Sequence, residues 1–190
     1  MKKPELLAPA GTLKNMRYAF AYGADAVYAG QPRYSLRVRN NDFQNENLAK
    51  GIAEAHALGK QFFVAANTMP HNSKLKTFLR DIEPVIQMQP DALIMADPGL
   101  IMIVREAFPE MVIHLSVQMN TVNYASVKFW QKLGIKRIIL SRELSLDELA
   151  EIRQECPDME LEVFVHGALC IAYSGRCLLS GYFNHRDPNQ

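Results

Sequence analysis

Residues 92–107 read ALIMADPGLIMIVREA, and they contain a strand, a turn and a helix in direct succession. The uninterrupted apolar run Ala92–Ala96 is typical of a strand that is buried on both faces of a sheet. Asp97 is a residue type that caps helices, and Pro98 fits the first helical turn. Helical periodicity then continues over Gly99–Ala107. The stretch therefore predicts one strand-to-helix unit of an α/β protein.

This unit is repeated along the whole chain. Short apolar runs predict seven strands, at Glu5–Ala8, Ala26–Ala29, Gln61–Ala66, Ala92–Ala96, Val112–Val117, Arg137–Leu140 and Leu161–Val165. Segments with helical periodicity predict six helices between them, at Leu13–Tyr22, Asn47–Leu58, Lys74–Met88, Gly99–Ala107, Val122–Leu133 and Leu146–Cys156. Gly23, Gly59 and Gly134 stand where glycine commonly ends a helix, and Ser145 with Glu148 forms a capping box.

Strict alternation of helices with continuously apolar strands indicates a parallel sheet. The sequence contains no glycine-rich dinucleotide-binding turn, so a TIM-like barrel is favoured over a doubly wound sheet. The predicted fold class is α/β, a TIM-like (β/α) barrel of about seven parallel strands and six helices. A complete barrel has eight strands in about 250 residues. We therefore expect residues 1–190 to be the N-terminal part of a single barrel domain whose C-terminal remainder is missing, or the closing strand to come from elsewhere.

Composition and charge narrow the class of protein. With 190 residues, of which 48% are apolar and 22% charged, the chain has the composition of a soluble globular protein. Its longest apolar stretch, Ala92–Val104, is broken by Asp97 and Pro98 and cannot cross a bilayer. Pro4 and Glu5 follow the opening Met-Lys-Lys too closely for a signal peptide, so we expect no membrane partner and a cytoplasmic location. A net charge of +1 means that an RNA partner would need a local basic patch or a region beyond residue 190.

Barrel enzymes place their chemistry in the loops that follow the strands, and those loops are mostly polar in this sequence. They comprise Ala8–Gly11, Gly30–Arg33, Asn67–Thr68, Asp97, Gln118–Asn120, Ser141–Glu143 and His166–Gly167. Asn67, Gln118 and Asn120 carry amides that could read a base edge or a substrate carbonyl. Asn123 is better suited to cap a helix. Asn67, Gln118 and Asn120 are therefore candidate substrate-binding residues.

The candidate catalytic residues follow the last two predicted strands. Arg142 and Glu143 are either a surface ion pair beside a helix cap or part of a site for a carboxylate or phosphate. His166 closes the seventh strand, where it is either a proton donor, a metal ligand, or a structural residue with satisfied hydrogen bonds. Its place at the carboxyl end of a barrel strand favours a functional role.

A second group of arginines lies in the long loop after the second strand. Arg33, Arg37 and Arg39 could hold an anionic substrate, or they could simply form a solvated basic loop. With Tyr34 stacking a base, the same loop could instead position RNA phosphates. The sequence leaves these alternatives open.

Residues 162–181 read EVFVHGALCIAYSGRCLLSG, and they place Cys170 and Cys177 directly after an apolar strand. The two cysteines are either small buried apolar residues or thiolate ligands of a metal or iron–sulfur cluster. The polar residues between them, including Arg176, favour ligands, because a nearby positive charge stabilises a thiolate. Cys156 ends the sixth predicted helix and is expected to be a bystander. Glu162 lies near the start of its strand and is expected to be structural, paired at the lower face of the barrel.

The same segment resembles the signature of the collagenase-like peptidase family, U32. The stretches PELLAPAG at 4–11, GADAVYAG at 23–30 and LSRELS at 140–145 also look like this family, so the resemblance covers essentially the whole chain. Several members of the family are oxygen-independent hydroxylases that contain a [4Fe–4S] cluster and act on tRNA uridine, 23S rRNA cytidine or a quinone precursor. The resemblance therefore implies chemistry that differs from the family's name.

For this chain, the resemblance implies prephenate-dependent hydroxylation of the wobble uridine of tRNA to 5-hydroxyuridine, with tRNA and prephenate as partners. It also implies that Cys170 and Cys177 are two of the four ligands of a [4Fe–4S] cluster, the other two lying beyond Gln190. A peptidase is a weaker alternative, because the sequence has no His-Glu-x-x-His or Gly-x-Ser-x-Gly motif and only Cys170 with His166 could form a nucleophile and base. A non-catalytic RNA-binding or iron–sulfur scaffold is the other alternative.

Overall fold

The computed structural model describes residues 3–36, 41–167 and 177–185. The chain divides into two compact units, Met1–Met111 and Val112–Asn189. Within each unit the described strands run parallel and alternate with helices. This confirms the predicted α/β class with a parallel sheet, whereas the expectation of a single barrel domain stays a prediction.

The first unit contains four strand-to-helix repeats. In chain order these are β1 Leu7–Pro9, α1 Leu13–Ala21, β2 Ala26–Gly30, α2 Asn45–Ala57, β3 Gln61–Ala66, α3 Asn72–Gln87, β4 Ala92–Met95 and α4 Pro98–Ala107. Strand β2 pairs with β1 and β3, and β3 pairs with β4, so that Val27 lies opposite Phe62 and Val64 lies opposite Leu93. All five residues from Phe62 to Ala66 are buried, as expected for a strand covered on both faces.

Close packing of α2 against β3 depends on a glycine. A Cβ atom at Gly51 of α2 would lie 2.9 Å from the ring of Phe62 and 3.1 Å from the ring of Phe43. Those two rings also meet edge to face, with centroids 5.6 Å apart. The absence of a side chain at Gly51 therefore lets the helix approach the sheet, and the aromatic pair fills the space beside it.

The second unit contains three strands and three helices. These are β5 Ile113–Leu115, α5 Tyr124–Lys132, β6 Arg137–Ile139, α6 Leu146–Glu155, β7 Glu160–Glu162 and α7 Leu178–Asn184, with a 3-10 turn at Val117–Met119 between β5 and α5. Strand β6 pairs with β5 and β7, and Arg137 lies opposite both His114 and Glu160. Polar residues therefore occupy the beginning of all three neighbouring strands.

The predicted helix caps are confirmed. The side chain of Asp97 accepts a hydrogen bond from the N–H of Leu100 at 2.8 Å, and that of Asn123 accepts one from Ser126 at 2.9 Å. Ser145 and Glu148 form the predicted capping box. Because Asn123 is the cap, α5 begins at Tyr124 and the prediction of a start at Val122 was wrong.

Five strands are shorter than predicted: β1, β4 and β6 by one residue each, β7 by two and β5 by three. Strand β5 ends at Leu115, because the Ser116 side chain accepts a hydrogen bond from the N–H of Gln118 and starts the 3-10 turn. Strand β7 ends at Glu162, whose carbonyl accepts the N–H of Leu140 just beyond the end of β6. The residues that follow, 163–165, are exposed. Helix α7 was not predicted.

No helix in the described part of the chain combines the length and apolar character that a membrane-spanning helix requires. The longest described helix is α3, with 16 residues, and it is amphipathic rather than uniformly apolar.

Candidate functional site

A cavity of about 330 Å³ lies at the carboxyl ends of β6 and β7, entirely within the second unit. One wall is the loop after β6 and the beginning of α6, and the other is the segment that follows β7. Its lining residues are Ser141, Arg142, Leu144, Ser145, Leu146, Leu149 and 163–167. The cavity thus brings together two of the predicted site residues, Arg142 and His166.

The guanidinium of Arg142 lies over the ring of Phe164, with its central carbon 5.0 Å from the ring centroid. No carboxylate among the described residues lies within ion-pair distance of it. A cation–π contact of this kind stabilises the guanidinium without using its N–H donors in an ion pair. Arg142 is therefore a half-buried cation that can bind an anion in the cavity.

Glu143 does not line the cavity, although it follows Arg142 directly in sequence. Its side chain is exposed and accepts a hydrogen bond from the hydroxyl of Ser141. That hydrogen bond, then one from the residue's own backbone N–H and the positive charge of Arg142, outweigh burial and lower the pKa of the Glu143 carboxyl below its ordinary value. The carboxylate is thus ionised at neutral pH and helps to fix the loop that presents Arg142.

Two of the predicted amides stabilise the turn that follows β5. Gln118 is buried, and its side-chain oxygen accepts a hydrogen bond from the hydroxyl of Ser116 at 3.2 Å. Asn120 has a left-handed backbone with φ of 48°, and its amide donates to the carbonyl of Gln118 at 2.8 Å. The carbonyl of Thr121 accepts the N–H of Ser141 at 3.2 Å, which links this turn to the loop after β6. Their roles in substrate binding stay predictions.

In the first unit, Arg33 and Asn67 are engaged in holding the chain that follows β2. Arg33 donates to Asp81 of α3 at 2.6 Å, and Asn67 accepts the N–H of Leu36 at 3.2 Å. The alternative in which Tyr34 stacks a base does not agree with the structure, because the ring is fully buried and packs edge to face on Phe78. Arg37 and Arg39 lie outside the described residues.

The Tyr34 hydroxyl meets α3 at three points. It donates to the carbonyl of Lys74 at 3.2 Å, lies 3.2 Å from the hydroxyl of Thr77, and lies 3.1 Å from a carboxylate oxygen of Asp81. Burial acts to raise the pKa of the Asp81 carboxyl, but hydrogen bonds from Arg80, Thr77 and Tyr34 outweigh burial and lower the pKa. The phenol and the carboxylate together attach the chain after β2 to α3.

A group of ionisable residues lies across β5, β6 and β7, and the sequence did not predict it as a group. Arg137 donates to Glu160 through Nε at 2.9 Å, and its Nη1 lies 3.6 Å from a carboxylate oxygen of Glu162. The prediction that Glu162 is structural and paired agrees with this contact, although Glu162 ends its strand instead of starting it. Burial, and then the charge of Arg137, lower the pKa of the His114 imidazole to about 3.

Of the three cysteines, two lie in the described residues. Cys156 follows α6 as its C-terminal cap and is buried, with its thiol 3.7 Å from the carbonyl of Tyr124. Burial raises the pKa of this thiol, which fits the expectation of a bystander. Cys177 is half-buried and directly precedes α7, whereas Cys170 falls outside the described residues.

Within residues 3–36, 41–167 and 177–185, no three His, Cys, Asp or Glu side chains are grouped so as to hold a metal ion. Only Cys177 of the predicted ligand pair is described, so these residues do not supply the donor set of a [4Fe–4S] cluster.

Parallel strands each followed by a helix, with a cavity at the carboxyl ends of β6 and β7, agree with the predicted TIM-like (β/α) barrel class, and the match to a solved structure supports it. The solved structure of the U32 peptidase Mk0906 has the same fold, with a TM-score of 0.70 at 13% sequence identity over 90% of this chain and 73% of that one. The chain belongs to peptidase family U32, whose family model matches residues 11–190. This confirms the family resemblance inferred from the motifs.

Curated relatives in two bacteria match over almost the whole chain. The tRNA hydroxylation protein P of Escherichia coli is 76% identical over 190 residues, which are all of this chain and 42% of that protein. The tRNA hydroxylation protein P of Haemophilus influenzae is 75% identical over 188 residues, which are 99% of this chain and 41% of that protein. The chain therefore spans less than half the length of these relatives.

Proposed function

We propose that the protein carrying this chain is an RNA-modifying enzyme that hydroxylates the wobble uridine of tRNA to 5-hydroxyuridine, using prephenate and no molecular oxygen. The observation that carries the proposal is the 76% identity, over the full chain, to a protein named for tRNA hydroxylation. The proposed location is the cytoplasm. The proposed architecture is a single barrel domain of which these residues are the N-terminal part.

The proposed site uses the cavity after β6 and β7 together with the polar loops after the other strands. Arg142 binds an anionic group, and His166 at the cavity rim transfers protons. Glu143 holds the Arg142 loop through Ser141. The basic loop that contains Arg33, Arg37 and Arg39, together with the amides of Asn67, Gln118 and Asn120, contributes to the binding of RNA or of the anionic substrate.

The proposed cofactor is a [4Fe–4S] cluster, with Cys170 and Cys177 as two of its four ligands. Such a cluster, when bound, supplies electron transfer or Lewis-acid chemistry. Support for this part comes from the family signature around the two cysteines. Iron and acid-labile sulfide measured in the full-length protein, purified without air, test it directly. A Cys177→Ser variant is expected to lose both, and an anaerobic wild-type preparation without either would overturn the cluster.

Nucleoside mass spectrometry of tRNA tests the proposed reaction. Cells that lack the gene for the whole protein are expected to lose 5-hydroxyuridine and its derivatives, and the wild-type gene is expected to restore them. Undiminished 5-hydroxyuridine in those cells would overturn the hydroxylase. Cleavage of casein or collagen that a Cys170→Ala substitution abolishes would replace the hydroxylase with a peptidase. RNA binding that survives Cys170→Ser, with no modification lost from the deletion strain, would replace it with a scaffold.

A further inference from the structure

Arg33 and Arg142 differ in their described partners. Arg33 donates to Asp81 at 2.6 Å, and this carboxylate also pairs with Arg80 at 3.0 Å. Arg142 has no described carboxylate within 4 Å, and it contacts an aromatic ring instead. An incoming anion therefore gains more from Arg142, because it does not have to displace an existing ion pair.

The cavity beside Arg142 has the size and lining of a site for a small molecule. Its volume of about 330 Å³ lies at the lower end of the range for ligand pockets. Apolar side chains form most of the lining, from Leu144, Leu146 and Leu149 on one wall and Val163 and Val165 on the other. The polar groups are few and include the Arg142 guanidinium and the His166 imidazole. A ligand that fits this lining has an apolar body with an anionic group attached.

We propose that this cavity binds the small organic carboxylate that serves as co-substrate, with its carboxylate on Arg142 and its apolar body against the leucine and valine side chains. In this arrangement Phe164 is a positioning residue, because its ring contacts the guanidinium beside the cavity. The inference rests on the proposed function, and it assigns the co-substrate to Arg142 instead of the loop that contains Arg33.

RNA phosphate is the competing ligand for Arg142, and the cavity does not suit it. Phosphate backbones are bound by several cations spread along a surface, which is why RNA affinity falls steeply with salt. In the described part of the lining, Arg142 is the only lysine or arginine, and the neighbouring walls are aliphatic. A phosphodiester placed there would meet only one cation among the described lining residues.

Titration calorimetry of the full-length protein with prephenate tests the assignment. Arg142→Gln is expected to weaken prephenate binding by about 10- to 100-fold, the loss typical of a charge-assisted hydrogen-bonded pair. Arg142→Lys is expected to recover only part of that loss, since an ammonium cannot bind a carboxylate in two places. Lys132→Gln is the matched control, because it removes an exposed charge of α5 outside the cavity and is expected to leave the affinity unchanged.

Phe164 is tested through kinetics, because a positioning role and a folding role differ there. Phe164→Leu is expected to raise the KM for prephenate by about three- to tenfold with little change in kcat, and Phe164→Tyr is expected to restore the wild-type KM. The KM for tRNA is expected to stay constant in both variants. An unchanged prephenate KM in Phe164→Leu would overturn the positioning role.

The outcomes separate this inference from the proposed function. If wild-type protein hydroxylates tRNA with prephenate while Arg142→Gln binds prephenate normally, the assignment fails and the function stands. If Arg142→Gln weakens tRNA binding and its salt dependence instead, Arg142 is a phosphate contact and the assignment also fails. If wild-type protein binds prephenate through Arg142 but tRNA from the deletion strain keeps its 5-hydroxyuridine, the assignment stands and the function fails.

Discussion

The carboxylate of Asp91 accepts a hydrogen bond from the backbone N–H of Phe62 at 2.7 Å, joining the residue before β4 to the start of β3. The same oxygen lies 3.0 Å from Nε2 of His56. Asp25 repeats the arrangement at β1, where it accepts the N–H of Leu6 at 3.0 Å. Each aspartate thus accepts a hydrogen bond from a backbone N–H near the start of a strand in the first unit.

Asp91→Ala is expected to lower the free energy of unfolding by about 1–3 kcal/mol, because it leaves the N–H of Phe62 without its partner. Urea denaturation followed by circular dichroism measures the change. Asp158→Ala is the matched control, since Asp158 is exposed in a turn, and a surface change of this kind shifts stability by no more than about 0.5 kcal/mol. Equal losses in the two variants would contradict a structural role for the Asp91 bond.

The stabilising contribution of Asp81 to the folded protein is expected to be lost in acid. Its pKa is lowered in the folded protein, so the unfolded state binds more protons and the stabilisation is complete only above the ordinary pKa of aspartate. That contribution decreases as the pH falls through the lowered pKa. Asp81→Asn should therefore lose more stability, relative to wild type, at pH 7 than at pH 3. Urea midpoints at both pH values give the comparison, and a difference that does not change with pH would contradict it.

His114 is expected to remain uncharged in the folded protein throughout the physiological range. Because its pKa is lowered to about 3, the unfolded state takes up a proton between the ordinary histidine value and that pH, while the folded state does not. Stability should thus decline as the pH falls below about 6.5, by at most about 1.4 kcal/mol per pH unit from this residue.

The His114→Gln variant tests this pH dependence. Its free energy of unfolding is expected to fall less than that of wild type between pH 6.5 and pH 4.5, whatever the stability of the variant at pH 7. His71→Gln, which changes an exposed histidine at the start of α3, should keep the wild-type slope. Two parallel stability curves for His114→Gln and wild type would refute the prediction.

Arg137→Met is expected to cost about 3–5 kcal/mol, because it leaves the largely buried carboxylate of Glu162 without its neighbouring cation. The comparison is with Lys128→Met, which breaks the exposed ion pair with Glu155 and should cost no more than about 1 kcal/mol. The free energies of unfolding of the two variants and of wild type are compared at neutral pH. Similar losses for the two variants would show that the Arg137 group adds little to stability.

His166→Gln is expected to reduce tRNA hydroxylation by about 100-fold, the contribution typical of a general acid or base. Binding of tRNA, measured by filter retention, should be unchanged, since glutamine removes proton transfer but keeps a polar side chain at this position. His71→Gln serves again as the control for an exposed histidine. Retention of full activity in His166→Gln would exclude the residue from proton transfer.

Local signals in the sequence were enough to predict most of the fold. Strand β3 was predicted without error at Gln61–Ala66, because its apolar residues are contiguous and β2 and β4 cover both edges. Caps such as Asp97 and Asn123 were predictable because the capping hydrogen bond joins residues that are only three positions apart in the sequence. Strand ends were less predictable. Strand β7 ends where its pairing with β6 ends. The end of β7 is therefore set by the length of the neighbouring strand and not by the residue types at 163–165.

The candidate site was predictable in position but not in its contacts. Arg142 and His166 were placed in adjacent loops by the barrel rule, and they do line one cavity. The partnership of Arg142 with Phe164 depends on the register of two strands, which no local pattern encodes. Tyr34 was misread for a similar reason, since its burial is caused by α3, about 40 residues later in the chain.

Because Tyr34 is attached to α3, the position of the chain after β2 depends on which way the side chains of α3 point around the helix axis. Its hydroxyl meets Lys74, Thr77 and Asp81, which lie on one side of that helix. One residue inserted between Lys74 and Thr77 would rotate the following side chains by about 100° around the helix axis. Asp81 would then face away from both Tyr34 and Arg33. A change in the length of α3 would therefore displace the chain that follows β2, although the two segments are far apart in the sequence.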